Sequence, residues 1–222
     1  KIFMHLALSD CRDQLIYYKR QAAYPAFQEK MLNTVAACKN ALVTSEMLLD
    51  AAALQPQDST LRQKAEDIAL LFSSYDAYVS QSCLDPLDDP LRAAQLLKER
   101  VFFRDCGVWV DGFKDFSAAQ QLLLRRILCQ CPSMTVSLCA DGLWSEQTQE
   151  DDLFAPTRET ARRLMRIARE EGCPVAAPVL LAQQPRYQEQ SLAFLETNLY
   201  QLEPRRQAGI PGGVILAQAR NA

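Results

Sequence analysis

The chain has 222 residues, 49% of them hydrophobic, and carries 24 Lys and Arg against 27 Asp and Glu for a formal net charge of −3. That length and apolar content suit a soluble globular protein with one large domain or two small ones and a substantial core. The charge argues against a uniformly basic domain that coats nucleic acid, although basic residues gathered on one face leave DNA binding open.

The first hundred residues read as helical. The opening Lys1-Ile2-Phe3-Met4-His5-Leu6-Ala7-Leu8-Ser9-Asp10 lacks a small-residue cleavage site and meets Asp10 early, so it reads as structure rather than as a signal peptide. His5 is expected to be an ordinary helix residue, because no nucleophilic serine or cysteine motif stands near it. Phe27, Met31, Val35, Cys38 and Leu42 recur at helical spacing. So do Leu61, Ala65, Ile68, Leu71, Phe72, Tyr75 and Tyr78. Thr44-Ser45-Glu46-Met47 has the form of a capped short helix, and Asp58-Ser59-Thr60 offers cap oxygens to the second long one. Leu84-Asp85-Pro86-Leu87-Asp88-Asp89-Pro90 breaks the pattern, and a short helix follows from Leu91 to about Lys98.

From about residue 101 the pattern turns to strand, helix, strand. Val108-Trp109-Val110-Asp111 reads as a short buried strand, Ser117 as the cap of a helix carrying Leu122, Leu123, Ile127 and Leu128, and Met134 to Cys139 as a second strand closing at Ala140-Asp141-Gly142. Such a βαβ unit crosses over right-handedly to place the strands parallel. Asp111 and Asp141 would then stand at the carboxyl ends of parallel strands, where open α/β sheets bind ligands. Asp111 is also open to a plainer reading as a hydrogen-bonded turn acid before Gly112.

Ser145 to Asp152 is polar and loop-like. A helix is expected from Pro156 to Glu171, with Leu164, Ile167 and Ala168 inward, arginines 158, 162, 163, 166 and 169 largely outward, and Gly172 as its stop. The five arginines suit a phosphate-facing stripe, while a solvated face balanced by Glu159, Glu170 and Glu171 is the commoner outcome of such a pattern. A helix from about Gln188 to Tyr200, a Pro/Gly-rich loop from Pro204 to Gly213 and a strand Val214-Ile215-Leu216-Ala217-Gln218-Ala219 complete the chain.

The eight cysteines are scattered, the nearest pair being Cys129-x-Cys131, and His5 is the single histidine, so neither a zinc site nor a redox C-x-x-C is expected. Reduced thiols and a cytoplasmic location follow as expectations. No apolar run approaches the roughly 20 residues that span a bilayer. The chain opens without an initiator methionine and stops just after a strand-like run, as a piece of a larger protein would. It contains no Gly-x-x-x-x-Gly-Lys-Ser/Thr phosphate loop, and Gly112 follows Asp111 where ATP-hydrolysing motors carry a second carboxylate. Asp88-Asp89 and Asp151-Asp152 sit in loop-like contexts without a nuclease pattern.

The blocks form an ordered set. Val108-Trp109-Val110-Asp111-Gly112-Phe113-Lys114-Asp115-Phe116-Ser117, with the strand from Met134 to Asp141, resembles the "DGF-x-x-F" block of the AddB family, the B subunits of bacterial AddAB helicase/nucleases. Leu153-Phe154-Ala155-Pro156-Thr157 resembles that family's "LF-x-x-T" segment, and Leu192 to Tyr200 its "LAHLEKNLF" helix. Lys64-Ala65-Glu66-Asp67-Ile68-Ala69 resembles its "K-x-x-D-I-A" helix, Asp85 to Pro90 its acidic link, and Val214 to Asn221 the strand opening its next helicase motif.

The resemblance implies a piece of a superfamily-one helicase-like module that does not unwind DNA and is implicated in scanning single-stranded DNA for Chi. It implies a heterodimer with the A subunit of the helicase/nuclease and a role in double-strand-break repair and recombination, with no membrane association. The fold it implies is α/β: a mostly helical half, residues 1–99, as an insertion subdomain, then a partial parallel βαβ core of P-loop NTPase type over residues 100–222. ATP, magnesium and an iron–sulfur cluster belong to the parent family, and none is assigned to these residues, so the segment alone is expected to be inactive. Asp111 falls at the Walker-B-like position, and Arg158, Arg162 and Arg166 are the expected DNA contacts. Two rivals stay open: an ATPase lobe completed by a phosphate loop elsewhere, with Asp111 on magnesium, and a helical protein-interaction module.

Overall fold

In the computed structural model, helices α1 (Ile2–Cys11), α2 (Pro25–Asn40), α3 (Ser45–Ala53), α4 (Thr60–Ser82) and α5 (Asp89–Glu99) occupy the first hundred residues, the helical half expected there, with the two periodic stripes falling on α2 and α4. The structure describes residues 1–140, 142–143, 153–181, 189–199, 201, 203, 205–206, 208, 215 and 217. The chain divides into two compact units, Lys1–Val175 and Ala176–Ala222, so the boundary expected at residues 99/100 falls inside the first unit.

The core of the first unit is an α1–α2–α4 packing. Met4, Ala7, Leu8 and Cys11 from α1 meet Phe27, Met31 and Val35 from α2 and Leu71, Phe72, Tyr75 and Val79 from α4. Each fully buried aliphatic side chain there contributes roughly 1.5–3 kcal/mol. The caps follow the sequence. Thr44 accepts the Met47 N–H at the start of α3, and Ser59 accepts that of Arg62 at the start of α4. Two details differ from the periodic reading. Leu61, at the first turn of α4, is exposed. Leu42 lies beyond α2 rather than on its stripe: it adopts φ 57, with its N–H on the Lys39 carbonyl (3.0 Å) and the Val43 N–H on that of Cys38 (2.9 Å). That is a Schellman cap, which ends α2 at Asn40.

After a 3₁₀ turn at Pro86–Asp88, α5 packs against α6 (Ala118–Leu128). Gln130 ties the two together through Nε2, which donates to the carbonyls of Leu97 (2.6 Å) and Arg100 (2.8 Å). Strands β1 (Val108–Val110) and β2 (Met134–Val136) pair in parallel with α6 between them, in the register Val108↔Met134 to Val110↔Val136. The βαβ unit is therefore present, with each strand shorter than its apolar run. One face of the pair carries the half-buried Val108, Val110, Met134 and Val136; the other carries Trp109, 75% exposed, and exposed Thr135. Among the described residues these two strands make the sheet.

Helix α7 (Ala155–Glu170) ends as predicted, with Gly172 at φ 68, its N–H on Arg169 O (3.1 Å) and the Cys173 N–H on Ala168 O (2.8 Å), a second Schellman cap. In the second unit α8 (Gln190–Asn198) closes with Asn198, whose Nδ2 donates to Phe194 O (2.8 Å) and whose Oδ1 accepts the Arg205 N–H (3.3 Å). Val179, Leu180 and Leu181 precede it as exposed, irregular chain. Asp141, the loop from Ser145 to Asp152, and most of the Pro/Gly-rich loop lie outside the described residues, as does the expected strand at 214–219 apart from Ile215 and Ala217. No described helix is long and apolar enough to cross a membrane.

Candidate functional site

The carboxyl edge of the strand pair is held by a compact turn. The Ser137 N–H donates to Val110 O (2.9 Å), continuing the ladder one step past β2, and the Ser137 hydroxyl donates to Asp111 Oδ1. Gly112 turns the chain at φ 80. Phe113 and Phe116 stack at 5.0 Å, and Ser117 starts α6 with a capping box: its Oγ accepts the Gln120 N–H (3.2 Å) while Gln120 Oε1 accepts the Ser117 N–H (2.9 Å). Asp111 is thus an exposed carboxylate at the strand end, engaged by a serine hydroxyl. Among the described residues no group of three or more His, Cys, Asp or Glu side chains is arranged to hold a metal ion. A magnesium nucleotide requires phosphate-cradling amides and a lysine besides one carboxylate. The sequence supplies no such loop, so Asp111 and Ser137 do not by themselves fit that ligand.

The arginines of α7 divide into two sets. Arg162, Arg163, Arg166 and Arg169 are exposed, as expected. Arg158 is not: it is 2% exposed and points inward with Ala161 and Ala168, which corrects its placement among the surface DNA contacts. The spacing 158, 161, 165, 168 explains this, because it traces one helical face and Arg158 lies on it. That face is centred on Ala161 and Ala168, while Leu164 and Ile167 are half-buried at its margin.

The acids that would neutralise the outer face are unevenly spent. Glu159 accepts from Arg163 (3.0 Å) and lies 3.5 Å from Arg162, and the Arg163 bond holds its carboxyl below the usual range. Glu170 and Glu171 turn instead to α6, where Arg125 binds Glu170 at 2.9 Å and Glu171 more closely. Arg166 and Arg169 are left with no acid within 4 Å among the described residues. Arg163 and Arg166 also line an open groove of about 840 Å³ with Asn40, Ser117, Gln121 and Glu159. The arrangement offers two exposed guanidinium groups with no acidic partner among the described residues, Arg166 on the wall of a mixed polar and apolar groove that Glu159 and Glu170 also line, and Arg169 outside it, two cationic points for a polyanion.

Two charged centres that sequence reasoning missed organise the helical body. Lys39 Nζ, with its side chain 6% exposed, binds Asp76 (2.8 Å), Asp85 (2.9 Å) and Asp88 (2.8 Å), and lies 5.9 Å and 5.6 Å from the ring centroids of Phe72 and Tyr75. Burial works to lower the Lys39 pKa, but the bonds to the three carboxylates outweigh it and hold the ammonium above its ordinary value. Burial likewise opposes ionisation of Asp85, yet the Lys39 bond, the Leu87 N–H and the Tyr75 hydroxyl leave that carboxyl lowered. At Asp76 burial prevails over Lys39, helped by the charges of Asp88 and Asp85, and the pKa is raised. Burial and the neighbouring Asp85 push Tyr75 up to about 12.

The second centre is Asp67, 2% exposed. It gathers the N–H groups of Ile16 (2.9 Å), Tyr17 (2.9 Å) and Tyr18 (2.8 Å), fixing the segment between α1 and α2. Both centres were detectable in principle: Lys39 continues the Met31, Val35 face of α2, and Asp67 precedes Leu71 and Tyr75 on α4, so each is a charge at a core position that demands a partner.

Asp67, Asp85, the Asp111 turn and the buried Arg158 all fall within residues 1–196, which match the family model described as "ADDB, N-terminal". The chain belongs to the ADDB N-terminal family. Its relatives include the B subunit of the ATP-dependent helicase/deoxyribonuclease of Moorella thermoacetica, 32% identical over 225 residues, a match that covers 98% of this chain and 20% of that protein. The protein of the same description from Desulforudis audaxviator is 30% identical over 94% of this chain and 18% of its own length, and that of Clostridium acetobutylicum is 24% identical over 90% and 17%. The chain thus spans about a fifth of the length of these ADDB relatives.

Proposed function

We propose that this chain acts in DNA double-strand-break repair and recombination, as the amino-terminal helicase-like region of the B subunit of a helicase/deoxyribonuclease. It serves there as scaffold and as one wall of a single-stranded DNA path, including the path scanned for Chi. The family membership and the descriptions of its relatives support the setting. One observation supports the DNA-facing role: α7 keeps Arg166 and Arg169 exposed while its carboxyl-terminal acids are drawn off to Arg125. The parallel β1–α6–β2 unit is read as part of a P-loop NTPase-type core. The partner is the A subunit of the same heterodimer, and the setting is cytoplasmic. No cofactor is assigned to these residues; ATP, magnesium and the iron–sulfur cluster are assigned to other parts of the parent assembly.

Single-strand affinity measured across a salt series tests the reading. Each phosphate neutralised contributes about −0.7 to the log–log salt slope on single strands. Replacing both Arg166 and Arg169 by Ala is expected to flatten the slope by about 1.4 and to weaken binding independently of sequence. An unchanged slope removes α7 from the DNA path. In parallel, magnesium-dependent ATP turnover by the full-length protein that disappears in Asp111→Asn would replace the scaffold reading with the ATPase one.

A further inference from the structure

The segment between α1 and α2 is a pinned turn that carries aromatic rings and cations. Asp67 accepts the N–H groups of Ile16 (2.9 Å), Tyr17 (2.9 Å) and Tyr18 (2.8 Å), so three successive residues are fastened to α4 through their backbone. Tyr18 turns toward the core, its ring 5.0 Å from that of Phe27. Tyr17 stays exposed, edge-to-face with Tyr18 at 4.8 Å, and Lys64 Nζ of α4 lies 4.7 Å from its ring centroid. The turn continues through the Ala22 N–H on Tyr18 O (2.9 Å) and the Tyr24 N–H on Gln21 O (3.0 Å). It ends on Tyr24, 66% exposed, at the start of α2.

The charges beside these rings are not balanced. Lys19 is spent on Asp13, 3.7 Å from its carboxylate and 3.2 Å from its carbonyl oxygen. Arg12, Arg20 and Lys64 have no acid within 4 Å among the described residues, and both arginines are exposed. Core packing accounts for Tyr18, whereas Tyr17 and Tyr24 present rings to water. Exposed rings interleaved with unpaired cations are the two elements of a single-strand surface: bases stack on the rings and cations meet the phosphates. A duplex, whose bases are already paired and stacked, engages only the cations, as does an acidic peptide. Because Asp67 holds the turn in advance, a ligand does not have to order it.

We propose that Tyr17 and Tyr24 form a stacking platform for unpaired bases of a single-stranded nucleic acid, with Lys64, Arg12 and Arg20 meeting its phosphates. The platform is built on the α1–α2 turn and α4 rather than on α7, and it rests on the reading of this chain as part of a single-strand path.

The test uses the native chain and an oligothymidylate carrying iododeoxyuridine, with affinity followed by fluorescence anisotropy and photocrosslinked peptides mapped by mass spectrometry. Adducts on Tyr17 or Tyr24 of the unsubstituted chain are expected. Tyr17→Ala and Tyr24→Ala should each weaken binding at least about fivefold, the lower bound for a lost base–aromatic stack, while Tyr17→Phe should bind as the native chain does. Lys64→Gln should flatten the salt slope by about 0.7. Duplex DNA and polyglutamate should compete poorly. Adducts confined to other exposed aromatics such as Trp109 or Phe102, full affinity in both alanine variants, or equal competition by duplex or polyglutamate would overturn the platform; single-strand binding that then depends on Arg166 and Arg169 would leave the α7 reading standing. No binding of the oligothymidylate at low salt would overturn both. The crosslink to the unsubstituted chain decides the matter even if a variant fails to fold.

Discussion

Replacing Lys39 by Met removes one charge and leaves three carboxylates around an apolar thioether. Their environments differ, and that sets the magnitude. Asp85 has a side chain only 5% exposed, so it cannot rehydrate in place, although the Leu87 N–H (3.0 Å) and Tyr75 hydroxyl (3.2 Å) continue to bind it. Asp76 and Asp88, at 45% and 35%, can turn to water. Breaking a buried pair by deleting one partner costs about 3–5 kcal/mol. One buried carboxylate with two surviving donors places Lys39→Met near the lower end, about 3 kcal/mol. Asp76→Asn should cost under about 1 kcal/mol, because the carboxylate is nearly half exposed and burial offsets what the Lys39 bond contributes to its charged form. The combination Lys39→Met/Asp85→Leu should recover more than half of the Lys39→Met loss, since apolar replacement of both partners of a buried ion pair is often near neutral. Urea unfolding followed by circular dichroism measures all three, provided the slope with denaturant is unchanged. A Lys39→Met loss below about 1 kcal/mol, or a double variant no more stable than Lys39→Met alone, would refute the assignment of Lys39 as the charge that neutralises Asp85.

Asp67→Ala strips three N–H groups of their acceptor; with Ile16 61% exposed and able to reach water, a loss of about 3 kcal/mol is expected, read by urea midpoint and by faster amide exchange at residues 16–18. Asp67→Asn keeps a carbonyl oxygen that can hold the Tyr17 and Tyr18 N–H groups and should lose about half as much. Alkaline unfolding tests Tyr75. Its folded pKa, about 12, lies above the roughly 10 of an unfolded phenol, so its contribution is complete below about pH 10 and is lost as pH rises toward 12. Tyr75→Phe should flatten stability against pH within that window, as followed by urea midpoints at successive pH values.

Much of the fold was legible because local chemistry decides it. Thr44, Ser59, Ser117 and Gly172 mark helix ends through hydrogen bonds to their immediate neighbours, and the βαβ unit follows from two apolar runs flanking an amphipathic one. What escaped depends on distant partners. Lys39 gathers Asp76, Asp85 and Asp88 from two other elements, and no spacing along α2 announces them. Composition groups Arg158 with its exposed neighbours, although its position relative to Ala161 and Ala168 puts it on the buried face. The candidate site was legible in part for the same reason: the strand end at Asp111 is a local feature, whereas the withdrawal of Glu170 and Glu171 from the arginine face is a tertiary event involving α6.

Gly112 bears on how the Asp111 turn is understood. Read by sequence alone, it is the place where a catalytic carboxylate is missing. The structure supplies a separate reason for glycine, because the residue sits at φ 80, where a side chain strains the backbone even though a Cβ would meet nothing within 4 Å. The two reasons predict different results. If the turn requires glycine, Gly112→Ala should cost about 1–2 kcal/mol from backbone strain alone, and Gly112→Asn less, since Asn tolerates left-handed conformations. Gly112→Glu should then pay the alanine penalty while its carboxylate stands in open space. If the glycine records only a discarded catalytic group, Gly112→Ala should be neutral or slightly stabilising through a less flexible unfolded chain. Urea midpoints of the three variants separate the cases, and a neutral alanine would refute the conformational account. A strained Ala with a milder Asn would mean that a carboxylate at this position requires a different turn after β1, so that restoring the acid alone cannot restore a motor.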